Sequence, residues 1–324
     1  MNLSVRFALG VVLFSAFGPV LAQSPQKYPV KPIRLVLAFP PGGSTDIVAR
    51  VVGQKVTEAW GQQVVIEHRP GAAGNVAAEY VARVAPDGYT LFQVNVSNAI
   101  SASLFPKLGY NLVTDFAPVT QMATTPYVVL VHPSVPAKSM RELIAFAKAR
   151  PGQLNYASAG SGSATHLSGE LLKTMANVDI VHVPYKGTGA ALTAVMSGEV
   201  AFYFAAVPAA APYAKSGRLR AIGVTSAKRA SLMPDVAAVA ESGLPGYDTS
   251  TWHGVLAPVA TPKEIVQQLS VEMMRVLRLP DARERLISQG LEPVGDTPEQ
   301  FGAFIKAEIA KWAKVVAASG ARPE

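Results

Sequence analysis

Short apolar runs and helix-periodic stretches alternate along the first hundred residues. Residues 33–39 are a mostly apolar run of strand length, and residues 46–60 repeat Ile47, Val48, Val51, Val52 and Val56 at helical spacing. Residues 63–67 predict a second strand, 74–84 a second helix and 90–96 a third strand, with Pro86-Asp87-Gly88 turning the chain before it. This βαβαβ order predicts a parallel sheet covered by helices. The pattern restarts at Tyr127. Strands are expected at 127–131, 154–157, 180–183, 202–204 and 219–225, separated by helical stretches, one of them capped by Ser139 and another covering 164–175. The tail opens with a strand at 251–257 and then turns helical. There Thr297-Pro298-Glu299-Gln300 forms a capping box with proline at the first helical position. Phe301, Phe304, Ile305, Ile309, Trp312 and Val316 follow on one face, which predicts packing onto the first lobe rather than a docking surface for a membrane partner.

A mature chain of about 300 residues exceeds what one core usually serves. The expected organisation is two α/β lobes, the first built from residues 23–124 and 250–324, the second from 125–249. The chain then crosses between lobes near 120–127 and 247–253, and two strand-like crossovers make a hinge. Residues 1–22 read as a cleaved secretory signal. Arg6 is the basic start, residues 8–20 are an apolar stretch too short to span a bilayer, and Val20-Leu21-Ala22 suits a signal peptidase. No cysteine occurs. This excludes disulfides, thiolate metal sites, cysteine nucleophiles and a lipid anchor on an N-terminal cysteine. An exported protein without an anchor is retained only behind an outer membrane, which points to a Gram-negative periplasm. The composition is 49% apolar and 16% charged, globular rather than disordered. The net charge of +7 favours anions weakly. Its lysines and arginines are scattered without interleaved aromatics, so nucleic acid is not an expected partner.

Two strand–loop–helix junctions carry candidate chemistry. In the first, Phe39, Pro40, Pro41, Gly42, Gly43, Ser44 and Thr45 precede a helix, the glycines permit close approach of a ligand, and Ser44 or Thr45 can cap. In the second, Ser158, Ala159, Gly160, Ser161, Gly162, Ser163, Ala164, Thr165 and His166 place small and hydroxyl residues before another helix. Each junction offers unpaired N–H donors and the positive end of a helix dipole, an anion site outside the carboxyl end of a strand. A helix start contributes roughly 0.3–2 kcal/mol and each hydrogen bond to a charged group about 1.5–3. Three or four such contacts, less ordering costs, reach about −8 kcal/mol, a micromolar constant without any Arg or Lys. The second loop lacks the Gly-Lys-Ser/Thr ending of a phosphate loop, and Thr165 stands where a dinucleotide fingerprint needs glycine. No cofactor is expected.

Catalysis is not predicted. No Gly-x-Ser-x-Gly elbow occurs. The five histidines show no metal-ligand spacing, and His166 with Glu170 on one helical face lacks a third ligand. Ser163 and His166 could form a nucleophile pair, but at i, i+3 in a first helical turn they more often brace a loop.

The ordered motifs resemble the substrate-binding receptors of tripartite tricarboxylate transporters, called Bug receptors. The resemblance runs from about Tyr28 to Gly320. It rests on Phe39-Pro40-Pro41-Gly42-Gly43 with Asp46, Arg69-Pro70-Gly71-Ala72-Ala73-Gly74, Pro86-Asp87-Gly88-Tyr89-Thr90 and Leu154-Asn155-Tyr156-Ala157-Ser158-Ala159-Gly160. Later come Val181-His182-Val183-Pro184-Tyr185-Lys186-Gly187, Pro234-Asp235-Val236, Gly243-Leu244-Pro245-Gly246-Tyr247 and Trp252 with Gly254. The resemblance implies a type II periplasmic-binding-protein fold, each lobe a mainly parallel sheet flanked by helices. It implies a ligand carboxylate held by backbone groups of both glycine-rich loops, and delivery to a membrane permease. A solute sensor would use the same capture step, and one-to-one capture needs only a monomer. Two departures matter. Relatives often place a polar residue after the 202–204 strand, where Ala205-Ala206 stands here, so a ligand ammonium has no evident partner and a less polar carboxylate is expected. Where relatives often have histidine, Ser97-Asn98 stands here; both can donate, although Asn98 also suits a helix cap.

Overall fold

The computed structural model describes residues 28–319 and 321–322, so the signal segment expected at 1–22 lies outside the described residues. The chain opens with three parallel strands, β1 (Ile33–Leu37) lying between β2 (Val64–His68) and β3 (Thr90–Asn95). Helices α1 (Ser44–Trp60) and α2 (Asn75–Ala82) connect them, and α3 (Val96–Leu104) leaves β3 directly. Every residue of β3 is buried, as a strand covered on both faces requires.

Next comes β4 (Phe116–Val131), a 16-residue strand that belongs to both sheets. Over residues 116–126 it pairs antiparallel with β9 (Ser250–Pro258), which in turn pairs antiparallel with β3. Over residues 127–131 it pairs instead with β7 (Phe202–Ala206) and β8 (Arg220–Val224). The second sheet is completed by β5 (Leu154–Ser158), parallel to both β7 and β6 (Ile180–Pro184). Helices α4 (Met140–Ala149), α5 (Ala164–Ala176), α6 (Thr188–Ser197) and α7 (Val207–Lys215) flank it. After β9 follow α8 (Lys263–Arg278), α9 (Pro280–Ile287), the short β10 (Glu292–Pro293) against β4, and α10 (Pro298–Ser319).

The result is the two-lobed α/β fold read from the sequence. Parallel pairing fills the outer half of each sheet, and antiparallel pairing surrounds β4 and β9. The sequence pattern predicts a strand only from Tyr127 onward. Residues 116–126 escape it because Pro118, Thr120, Gln121, Thr124 and Pro126 break the apolar run, and the register shifts twice along that half.

The expected capping box starts α10: Thr297 N donates to Gln300 Oε1 at 3.0 Å, and Gln300 N to Thr297 Oγ1 at 3.3 Å. Phe301, Ile305 and Trp312 are buried, and burial of a side chain like Phe301 or Ile305 is worth about 1.5–3 kcal/mol. The helix rests on α3 and β4, and also touches α5 of the second lobe, so its apolar face is not confined to the first. Gly254 in β9 makes the docking possible. A Cβ there would lie 2.1 Å from the Phe301 ring. Buried Glu308 ties the two elements together, its Oε2 accepting from Trp252 Nε1 at 2.8 Å and Trp312 Nε1 at 3.0 Å.

Candidate ligand-binding cleft

The loops after β1, β3, β5, β6 and β7 meet between the lobes and enclose a cavity of about 160 Å³. The first loop contributes Phe39, Pro40, Pro41, Gly43, Ser44 and Thr45, and the start of α3 contributes Asn95 and Ser97. From the second lobe come Ala159, Ser163, Ala164 and Thr165, the run from Lys186 to Ala190, and Ala206; Tyr127, Tyr203 and Thr251 close the wall. Among the described residues the wall holds no aspartate or glutamate, and Lys186 is its one cation.

The first loop is fixed from beneath. Gly43 is the N-cap of α1 and no side chain caps it, so the expected capping by Ser44 or Thr45 does not occur. Both residues already lie inside the helix. Ser44 Oγ meets His253 Nε2 at 3.0 Å, and the Thr45 carbonyl accepts from Gln93 Nε2 at 3.0 Å. Asp46 Oδ2 accepts from Gly42 N at 3.2 Å and Arg50 Nε at 3.0 Å, while Oδ1 meets His68 Nε2 at 3.0 Å. Burial acts to raise the Asp46 pKa, but the bonds from Arg50, Gly42 and His68 outweigh it and hold the carboxyl below its usual range. His253 is wholly buried, which pushes its pKa down to about 3 and keeps it neutral.

The second loop departs from expectation. Its N–H groups are largely engaged by its own side chains. Ala159 N donates to Thr165 Oγ1 at 2.9 Å, Gly160 N to Ser158 Oγ at 3.1 Å, and Gly162 N to His166 Nδ1 at 3.1 Å. Ala164 N reaches across the cleft to Ser97 Oγ at 3.2 Å. A hydroxyl-rich turn close to its own backbone satisfies that backbone first. Uncapped helix starts occur elsewhere: α6 begins after Gly187, at φ +97°, and α7 after Ala206, neither with a side-chain cap. Together with α1 they leave first-turn N–H groups without intrahelical partners, and their dipoles favour negative charge. Tyr203 and Tyr127 add neutral phenols. Burial pushes the Tyr203 pKa up to about 12 and raises that of Tyr127 as well.

The sequence-predicted residues therefore divide. Phe39, Pro41, Gly43, Ser44, Thr45, Ser97, Ala159, Ser163, Thr165 and Ala206 line the cavity, whereas Gly160 and Ser161 line a larger adjoining groove. Gly42, Asn98, Ser158, Gly162, His166 and Ala205 lie in neither wall. Asn98 completes a capping box with Asn95, accepting from its N–H at 3.1 Å. The His166 ring stacks on His182 with centroids 3.9 Å apart, and His182 Nε2 meets Ser158 Oγ at 2.6 Å. Ser163 Oγ caps α5, accepting from His166 N at 3.3 Å and meeting Thr165 Oγ1 at 3.0 Å. It braces the loop. Sequence reasoning missed the third junction, Lys186-Gly187-Thr188-Gly189, although a glycine on either side of a helix start was a readable signal.

A family model described as a tripartite tricarboxylate transporter family receptor matches residues 48–321. BugT of Bordetella pertussis is 36% identical over 324 residues, 99% of each chain. The structure of R. palustris Rpa4515 with adipate gives a TM-score of 0.89 at 38% identity, covering 92% of this chain and 100% of that one. MatC from Rhodopseudomonas palustris with bound malate gives 0.84 at 34% identity, covering 89% and 100%.

Proposed function

The chain belongs to the tripartite tricarboxylate transporter receptor family, and we propose that it captures a small organic carboxylate in the periplasm for a membrane permease. One observation carries the reading: uncapped starts of α1, α6 and α7 surround a cavity whose wall, among the described residues, holds a lysine and no acidic side chain. Such a wall favours an anion through N–H donors, dipoles and one exposed cation. The adipate and malate in the two similar structures fit this ligand class. The proposed hinge joins a lobe of residues 23–124 and 250–324 to one of residues 125–249, and closure brings the loops together. With Ala206 in the wall and no carboxylate beside it, a ligand ammonium lacks a counter-ion. Aspartate and glutamate are therefore poor ligands in this reading.

Thermal-shift screening of carboxylates, amino acids, phosphate and sulfate tests the proposal. Stabilisation by carboxylates is the expected result, with mass spectrometry of ligand carried through purification naming the compound. A response to phosphate or sulfate alone would assign an inorganic oxyanion instead. A soaked carboxylate lodged away from residues 39–45 and 186–190 would remove the site.

A further inference from the structure

The cavity opens into a groove of about 730 Å³ that shares Phe39, Pro40, Ala159, Lys186 and Gly187 with it. Resting on the carboxylate reading above, we infer that the ligand is a carboxylate with an uncharged apolar body, its head in the small chamber and its body in this groove.

Size is the first argument. Ligand sites usually measure about 300–1,000 Å³, so the 160 Å³ chamber accommodates a head group while the groove is of full ligand size. Composition is the second. The groove is walled by Phe39, Pro40, Pro70, Ala73, Phe105 and Pro184, and among the described residues it carries no acidic one. Tyr185 also lines it, its hydroxyl bound to Glu199 Oε1 at 2.8 Å. Among the described residues Lys186 is the only cation there, and it is shared with the chamber, next to the head rather than the far end. Arg69, beside Pro70, is stacked on Tyr80 and paired with Glu67, outside the wall. Among the described residues the groove wall therefore offers a second charge at the far end of the ligand no side-chain cation. Both lobes contribute, residues 70–74 and Phe105 from one and residues 159–161 and 184–187 from the other, so a body in the groove joins the closed form. Ala72 and Ala73 in its wall hold φ of 45° and 55°, left-handed values that alanine rarely adopts and that tend to mark functional surfaces.

Calorimetry on the purified protein with acetate, butyrate, hexanoate, octanoate, phenylacetate, 3-phenylpropionate, succinate and adipate tests this. Affinity should rise about fourfold per added methylene, following about 0.8 kcal/mol per buried CH₂. Hexanoate should bind at least tenfold more tightly than adipate, which differs by the second carboxylate. Phe105→Ala should flatten the chain-length gain, with circular dichroism checking its fold. If carboxylates bind but affinity is flat with length, or adipate outcompetes hexanoate, the groove inference fails and the receptor reading stands. If no carboxylate binds, the receptor reading itself fails.

Discussion

Replacing Asp46 by asparagine tests how the first cleft loop is held. The carboxylate receives Gly42 N, Arg50 Nε and His68 Nε2, all within 3.2 Å. An amide keeps one acceptor oxygen, but its NH₂ group then faces donors. A hydrogen bond to a charged group is worth about 1.5–3 kcal/mol, and the His68 contact is sheltered enough to approach that range. The Arg50 side chain is 57% exposed, so its ion pair contributes under about 1 kcal/mol. The longer Gly42 bond adds about 1. Asp46→Asn should therefore cost about 3 kcal/mol in urea unfolding at pH 7, and weaken ligand binding by loosening residues 39–45. Because the folded carboxyl lies below its usual pKa, its contribution is present above about pH 3.8 and disappears as pH falls through the folded value. The gap between variant and parent should narrow there. A cost below about 1 kcal/mol at pH 7, or a gap that stays constant in acid, would refute the argument.

Two further perturbations probe the interior. His253 is neutral when folded with a pKa of about 3, against about 6.5 unfolded, so unfolding takes up a proton in between. Between pH 6.5 and 5 this removes about 2 kcal/mol of stability, and His253→Gln should abolish that part of the slope in pH-dependent urea melts; an unchanged slope would count against it. Glu308→Ala leaves two buried indole N–H groups unpaired and should cost about 2–5 kcal/mol, whereas Glu308→Gln retains an acceptor and should cost about 1. Equal losses in the two variants, by denaturant midpoint, would show that the indole bonds are not what Glu308 supplies.

Much of the architecture was legible because buried strands and amphipathic helices leave different periods. The run at 33–39 contains β1, which ends at Leu37, and the repeat from Ile47 to Val56 lies within α1. The first half of β4 was hidden, since a strand paired on both sides and bent by register shifts tolerates prolines and threonines that break an apolar pattern. At the site, glycine and serine density located the loops at 39–45 and 158–166. That density also misled, because the hydroxyls of Ser158 and Thr165 satisfy their own loop before any ligand. Tyr127, Tyr203 and Asn95 reach the cavity from strands, and nothing local marks them. Only the pairing of β4 with β7 brings the tyrosines to the same place.

The position of β9 bears on how such a chain is made. It lies between β3 and β4 in the first sheet, yet it is synthesised after the whole of the second. Until residues 250–258 emerge, β3 is paired only on its β1 side and residues 116–126 of β4 lack their β9 partner, so the amino-terminal half cannot lock on its own. Joining edges so distant along the chain is slow. Biogenesis is thereby biased toward a long-lived unfolded interval, followed by a late, concerted closure of the central ladder.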